Sequence, residues 1–187
     1  MKYNYFDALE SLADCAYNAT LSACAERRAN TKKALLEIRD KRDEILFSLE
    51  KTLFADFLPP LERDDIAAYA HALSRVVDAA LEHDALRSGE KFIKKRIPEE
   101  TICLDIAKEI KENTAILKNL KKPSEIPDIQ KLRQLLRSGS DMYTAELSRI
   151  ASGTSISAAS SIHSVARLRK ELAMCFDCLL ETMLNNI

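Results

Sequence analysis

Glycine is scarce and tryptophan is absent in this chain, which holds three glycines and five prolines among 187 residues. Average usage of roughly 7% would give about a dozen glycines. Tight hairpin turns and the loops that wrap phosphate groups both depend on glycine. The deficit therefore argues against a sheet-rich fold and against a Gly-rich phosphate-binding loop.

An excess of charge of either sign is also missing. The chain has 28 Lys and Arg against 29 Asp and Glu, a net charge of −1. No general attraction to nucleic acid follows from this balance, and we expect no nucleic-acid partner. No run of about 20 apolar residues is present, and the first residues lack the apolar core of a signal peptide. Together with an odd number of cysteines, five, this predicts a cytoplasmic protein with reduced thiols.

Hydrophobic residues recur close to every 3.6 positions along almost the whole chain, as in amphipathic helices. Prolines and small polar residues interrupt this pattern at a few points, and the connections between helices are short. The sequence therefore predicts a single all-α domain over residues 1–187, an antiparallel bundle of six helices. The predicted helices cover about 6–28, a stripe from 35 to 57 that stops at Pro59 and Pro60, 62–89, 98–120, 128–151, and a last helix that ends near 184.

Four aspartates suggest an internal repeat. Asp43 and Asp78 are equidistant from the turn at Pro59–Pro60, so the hairpin predicts that they face each other. Asp141 and Asp177 are arranged in the same way about the serine-rich turn of the second half. The offset between the halves is close to constant, which predicts two three-helix units of about 1–90 and 98–187. A chance alignment in an acid-rich chain is the alternative.

The residues around the first turn, Phe57-Leu58-Pro59-Pro60-Leu61-Glu62-Arg63-Asp64-Asp65-Ile66, resemble a hairpin signature of the PhoU-like family. The similarity is to the short branch of that family, which is associated with Pit-type phosphate transporters. It continues through Leu73 and Asp78, and again at Leu136–Tyr143. The resemblance implies six helices arranged as two three-helix repeats.

In that family each half carries acids at i and i+4 on two facing helices, where four carboxylates can hold hard or borderline cations. This chain keeps the second acid of each pair and lacks the first. The four retained positions are candidate metal ligands: Asp43, Asp78, Asp141 and Asp177. The four positions without an acid hold Arg39, Ser74, Arg137 and Ala173.

The arginines at two of these positions suggest a substitute for the metal. Our hypothesis is that the guanidinium of Arg39 replaces the metal's charge near Asp43 and Asp78. Arg137 would do the same near Asp141 and Asp177. Two alternatives stay open: that the arginines extend into solvent beside ordinary surface acids, and that other acids preserve a metal site. We expect no cofactor other than such a metal ion.

No motif predicts an enzyme. Cys175 and Cys178 form a C-x-x-C, but they lie deep in a helix, where packing is the usual role of such cysteines. The three histidines have no Ser, Cys or carboxylate at a spacing that signals catalysis. A basic run at 91–96 is expected to be a solvated linker, with contact to a membrane surface or to a transporter's cytoplasmic loops as the alternative.

The resemblance implies an accessory regulator of inorganic phosphate uptake that acts by binding a Pit-type transporter at the cytoplasmic face. The protein would be peripheral to the inner face of the membrane and would form a homo-oligomer. One alternative is a metal-binding helical bundle that uses the retained aspartates. Another is a helical scaffold that has lost the family's role.

Overall fold

The computed structural model describes residues 3–25, 30–88, 98–120 and 156–186, together with scattered positions between 130 and 148. Its elements are α1 (Tyr5–Cys24), α2 (Thr31–Ala55), α3 (Arg63–Ser88), α4 (Pro98–Thr114), one 3-10 turn (Leu117–Asn119) and α5 (Ile156–Asn185). No strand occurs among these residues. The prediction of an all-α protein is confirmed.

Local sequence explains where several helices begin and end. The side chain of Asn4 accepts a hydrogen bond from the backbone N–H of Asp7 and so caps α1. The helix α2 ends at Ala55, a few residues before Pro59 and Pro60, because Asp56 already has extended backbone. Asp64 lies in the first turn of α3, where a carboxylate is stabilised by the positive end of the helix dipole.

The prediction that the fourth helix reaches about residue 120 is wrong. The helix α4 ends at Thr114, and a 3-10 turn follows. The Thr114 hydroxyl donates to the carbonyl of Ile110 and lies 2.5 Å from the Tyr69 hydroxyl. The side chain of Asn113 bonds in the same way to the carbonyl of Glu109. Beyond Thr114 the backbone changes to i,i+3 hydrogen bonds, beginning with the N–H of Ile116 to the carbonyl of Asn113 at 3.1 Å.

One continuous apolar core includes residues from all five helices. The helix α3 runs through its centre and packs against α1 and α5, while α4 packs against α1 and α5. The helix α2 lies at the edge, with only four fully buried side chains along its 25 residues: Leu35, Arg42, Leu49 and Leu53. One of these four is an arginine, which requires explanation.

Several predictions fall mostly or wholly outside the described residues: the helix at 128–151, the basic run at 91–96 and the serine-rich turn. The positions that are described between 130 and 148 are helical and exposed. Within the described part of the chain, no helix has both the length and the apolar character needed to cross a membrane.

Candidate functional site

Asp43 and Asp78 come together on one guanidinium group, which belongs to Arg42. The Arg42 Nη2 lies 2.9 Å from Oδ1 of Asp78, and its Nε lies 2.6 Å from Oδ1 of Asp43. The Nη1 also donates to the backbone carbonyl and the hydroxyl of Ser74, at 2.8 and 2.6 Å. The head group therefore joins α2 to α3.

The Arg42 side chain is buried, whereas both carboxylates are more than half exposed. Burial lowers the pKa of Arg42, but the hydrogen bond to Asp78 and the charges of Asp78 and Asp43 outweigh it and raise that pKa. The contact with Asp43 is purely electrostatic, because the Arg42 Nε–H is not aligned for a hydrogen bond. The cation stays charged and shields the two acids from each other.

This arrangement does not fit a metal ion between Asp43 and Asp78, because a guanidinium already lies between the two carboxylates and would repel a second cation. In the described ranges, no three His, Cys, Asp or Glu residues group closely enough to hold a metal.

Arg39, the residue expected at this place, has another contact. Its Nε and Nη2 donate to Oδ1 of Asp40, at 3.1 and 2.9 Å, on the exposed side of α2. The side chains of Arg39 and Asp40 are 43% and 64% exposed. The cation at the Asp43–Asp78 pair therefore comes from Arg42 and not from Arg39.

The corresponding residues of the second half are not joined in this way. Arg137, Asp141 and Asp177 are all exposed. Among the residues that the structure describes, none forms a hydrogen bond or ion pair with them. The position that matches Arg42 at the predicted repeat offset of 98 residues is Ser140, which cannot supply a positive charge.

A second polar cluster lies in the core, where α3, α4 and α5 meet. The Nδ1 of His83 is 2.8 Å from the hydroxyl of Ser164, and its Nε2 is 3.0 Å from Oε1 of Glu100. A neutral ring satisfies both contacts when Nε2–H donates to the carboxylate and Nδ1 accepts from the hydroxyl. All three side chains are almost fully buried.

Two arginines complete this cluster. The Nε of Arg87 lies 3.4 Å from Oε1 of Glu100. Its Nη1 donates to the carbonyls of Ala23, in the last turn of α1, and Ala25, just after that helix, at 3.0 and 2.9 Å. Arg169 of α5 pairs with Glu99 of α4 at 3.1 Å. The cluster thereby connects α1, α3, α4 and α5.

The order Ser164–His83–Glu100 matches the residue types of a hydrolytic triad, but its burial opposes catalysis. The Ser164 and His83 side chains are 1% and 0% exposed. A substrate carbonyl has to approach the hydroxyl closely for nucleophilic attack. The cluster instead suits a structural role, because buried charges are stabilised when each is paired and hydrogen-bonded.

The cysteines are also suited to packing. Cys175 is fully buried, and burial raises its thiol pKa well above the usual value. Burial raises the pKa of Cys178 to about 11. A reactive C-x-x-C requires a thiolate near neutral pH, so this pair fits the predicted packing role.

The turn between α2 and α3 is held by side chains from other parts of the fold. The hydroxyl of Tyr5 donates to Oδ2 of Asp56 at 3.2 Å, and Oδ1 of Asp56 accepts from the backbone N–H of Leu58 at 3.2 Å. Arg63 donates to the carbonyl of Asp56 at 2.5 Å. These contacts fix the start of the turn against α1.

The other side of the same turn is fixed by the end of α5. The backbone N–H of Glu62 donates to the side-chain oxygen of Asn186 at 3.0 Å. The amides of Asn185 and Asn186 donate to the carboxylate of Asp65. Both ends of the turn are thus anchored, and its conformation is set by the bundle.

Between these anchors, large apolar side chains face solvent. Phe57 is 89% exposed and Leu58 is 71% exposed. Phe54, in the last turn of α2, is 85% exposed, and Phe47 lies two helical turns earlier on the same face at 68%. We call Phe54, Phe57 and Leu58 the apolar tip.

The sequence analysis did not identify Arg42 as the cation at this site, although the spacing of its neighbours indicates that it is buried. Leu35, Arg42 and Leu49 are spaced by seven, so Arg42 occupies a buried position of the apolar stripe of α2. A charge on that stripe predicts a buried ion pair. No comparable signal marks His83, Glu100 and Ser164, because their contacts depend on how three helices pack.

Comparison of the chain with models of known protein families and with the sequences of characterised proteins finds no match.

Proposed function

We propose that the chain is a non-enzymatic, PhoU-like regulatory protein that acts on a Pit-type phosphate transporter at the cytoplasmic face. In this proposal the six-helix arrangement of the family applies, with the region 128–151 as the remaining helix. The resemblance of the hairpin at 57–66 to the family's signature is the origin of the proposal.

One structural observation carries it furthest: the residues of that hairpin signature form an anchored turn that exposes Phe57 and Leu58. Exposed apolar groups on a rigid turn are typical of a binding surface, since ordering costs little on association. The burial of Ser164 and His83, which have the residue types of a hydrolytic triad, also favours binding over catalysis.

The metal-binding alternative has no comparable support in the first half of the chain. Arg42 contacts both candidate ligands there, Asp43 and Asp78. If the chain is instead a helical scaffold that has lost the family's role, its presence should have no effect on phosphate uptake.

The test is phosphate uptake by cells that produce a Pit-type transporter, measured with and without this chain. We expect the initial uptake rate to change when the chain is present and to stay unchanged in cells that lack the transporter. The chain should also be recovered with the detergent-solubilised transporter. Unchanged uptake, with no recovery on the transporter, would rule out the proposal and favour the scaffold.

A further inference from the structure

The apolar tip overlaps an acidic segment of the chain. Positions 56–65 contain four carboxylates and a single cation, Arg63, an excess of three negative charges in a chain whose net charge is only −1. Glu62 and Asp64 are exposed. The carboxylates in the segment are Asp56, Glu62, Asp64 and Asp65.

We propose that the apolar tip docks a positively charged amphipathic segment of a partner protein, with apolar side chains on one face and Lys or Arg beside them. This inference rests on the proposed function and names the chemistry of the surface that the transporter would present. Cytoplasmic loops of membrane proteins carry an excess of Lys and Arg. Such a loop could cover Phe57 and Leu58 while its cations contact Glu62 and Asp64.

The same charges disfavour two other occupants of the tip. A second copy of the chain would bring two such acidic segments together, and like charges at an interface are repulsive. An anionic membrane surface would also repel the acidic segment, because cytoplasmic leaflets carry a negative surface potential. Of the three occupants, only a basic segment is complementary in both charge and apolarity.

The anchored turn favours tight binding of a partner through a few residues of the apolar tip. The contacts of Asp56 with Tyr5 and Leu58, and of Glu62 with Asn186, fix the turn before any partner binds. The side chains of Phe57 and Leu58 would therefore lose little freedom beyond their own rotamers. Anchors of this kind commonly account for most of the binding energy at an interface.

The probe is a synthetic helical peptide of leucine, lysine and alanine, with the leucines on one face and the lysines on its flanks. Binding to the whole chain is measured by fluorescence anisotropy of the labelled peptide. A second peptide, with glutamate in place of lysine, tests the charge. We expect the basic peptide to bind and the acidic peptide not to bind.

Two sets of variants identify the surface. Phe57→Ser with Leu58→Ser should weaken binding of the basic peptide by about 30-fold, as expected for the loss of a central anchor. Glu62→Gln with Asp64→Asn should weaken it by about fivefold, as expected for exposed ion pairs, and should reduce the dependence on salt.

Leu21→Ser is the matched control. Leu21 is another exposed leucine, 39% accessible. It lies on α1 about 24 Å along the helix from Tyr5, at the opposite end from the tip. This variant should bind the peptide as the wild type does. Equal binding by the Phe57/Leu58 double variant would overturn the proposal.

Two further results would also overturn it. If the double variant changes the sedimentation of the chain from oligomer to monomer, the tip is occupied by a second copy. If phosphatidylcholine vesicles with phosphatidylserine bind the wild type but not the double variant, the tip is a membrane contact.

Failure of this inference is distinguishable from failure of the proposed function. If uptake responds equally to the wild type and the Phe57/Leu58 variant, the regulation stands and the tip is not its contact. If the peptide binds as expected but uptake never changes, the docking chemistry stands and the transporter is not the partner.

Discussion

Two charge clusters join the helices of this protein, and they differ mainly in their access to water. In the edge cluster, Arg42 is buried but its partners Asp43 and Asp78 are more than half exposed. In the core cluster, His83, Arg87 and Glu100 are all buried. Each places a cation against a carboxylate, yet water can replace a lost partner only at the edge. Loss of one group should therefore cost more in the core.

The largest effect is expected from Glu100→Gln. This change leaves Arg87 buried without its carboxylate and weakens the contact with His83. We expect the free energy of unfolding to fall by about 3 kcal/mol, as for other broken buried ion pairs. Urea denaturation followed by circular dichroism measures the change. Glu112→Gln, on the exposed face of the same helix, should cost less than about 0.5 kcal/mol. Similar losses of unfolding free energy in Glu100→Gln and Glu112→Gln would show that a buried ion pair stabilises this protein no more than an exposed one.

A smaller loss is expected from Arg42→Met, which keeps most of the buried side-chain volume. The hydroxyl and carbonyl of Ser74 lose their donor, whereas Asp78 can bind water instead. We expect a loss of about 2 kcal/mol, typical of hydrogen bonds to a charged group.

The control for Arg42 is Arg39→Met on the same helix. Its contact with Asp40 is exposed, so the expected loss is under about 0.5 kcal/mol by the same urea titration. Equal losses at the two positions would mean that the bridge between α2 and α3 contributes nothing beyond a surface ion pair.

The smallest of the three effects is expected from Tyr5→Phe, where a buried hydroxyl meets the partly exposed Asp56. Loss of this hydrogen bond should cost about 1 kcal/mol at neutral pH. Burial, followed by the hydrogen bond and charge of Asp56, raises the pKa of Tyr5 to about 12 from its usual 10.0.

The raised pKa gives this contact a pH signature. The unfolded chain releases the Tyr5 proton at lower pH than the folded chain, so the contribution is complete below pH 10 and decreases as pH rises toward about 12. The difference in stability between wild type and Tyr5→Phe should therefore shrink over that interval. If the stability difference between wild type and Tyr5→Phe stays constant from pH 7 to about 12, the pKa of Tyr5 is not raised by folding.

The fold class was readable from the sequence because helical periodicity persists along most of the chain. The end of α4 was not, because no proline or glycine lies between Thr114 and Leu120 to mark it. The proximity of Asp43 and Asp78 followed from the symmetry of a hairpin. The identity of their cation was missed, although the seven-residue spacing of Leu35, Arg42 and Leu49 places Arg42 on the buried side of α2.

The core cluster could not be predicted from single-sequence patterns. His83 and Ser164 are 81 residues apart, and nothing in their local sequence relates them. The exposure of Phe57 and Leu58 could not be predicted either, since a Phe-Leu pair before two prolines is compatible with a buried or an exposed turn.

The core cluster also bears on the predicted division of the chain into two three-helix units. His83 and Arg87 belong to the first half, whereas Glu100 and Ser164 belong to the second. The buried ion pair of Arg87 and Glu100 therefore crosses this division, and an unpaired buried charge is strongly destabilising. We therefore expect neither unit to be stable without the other. If the chain were cut between residues 89 and 97, its pieces should be stable only when mixed.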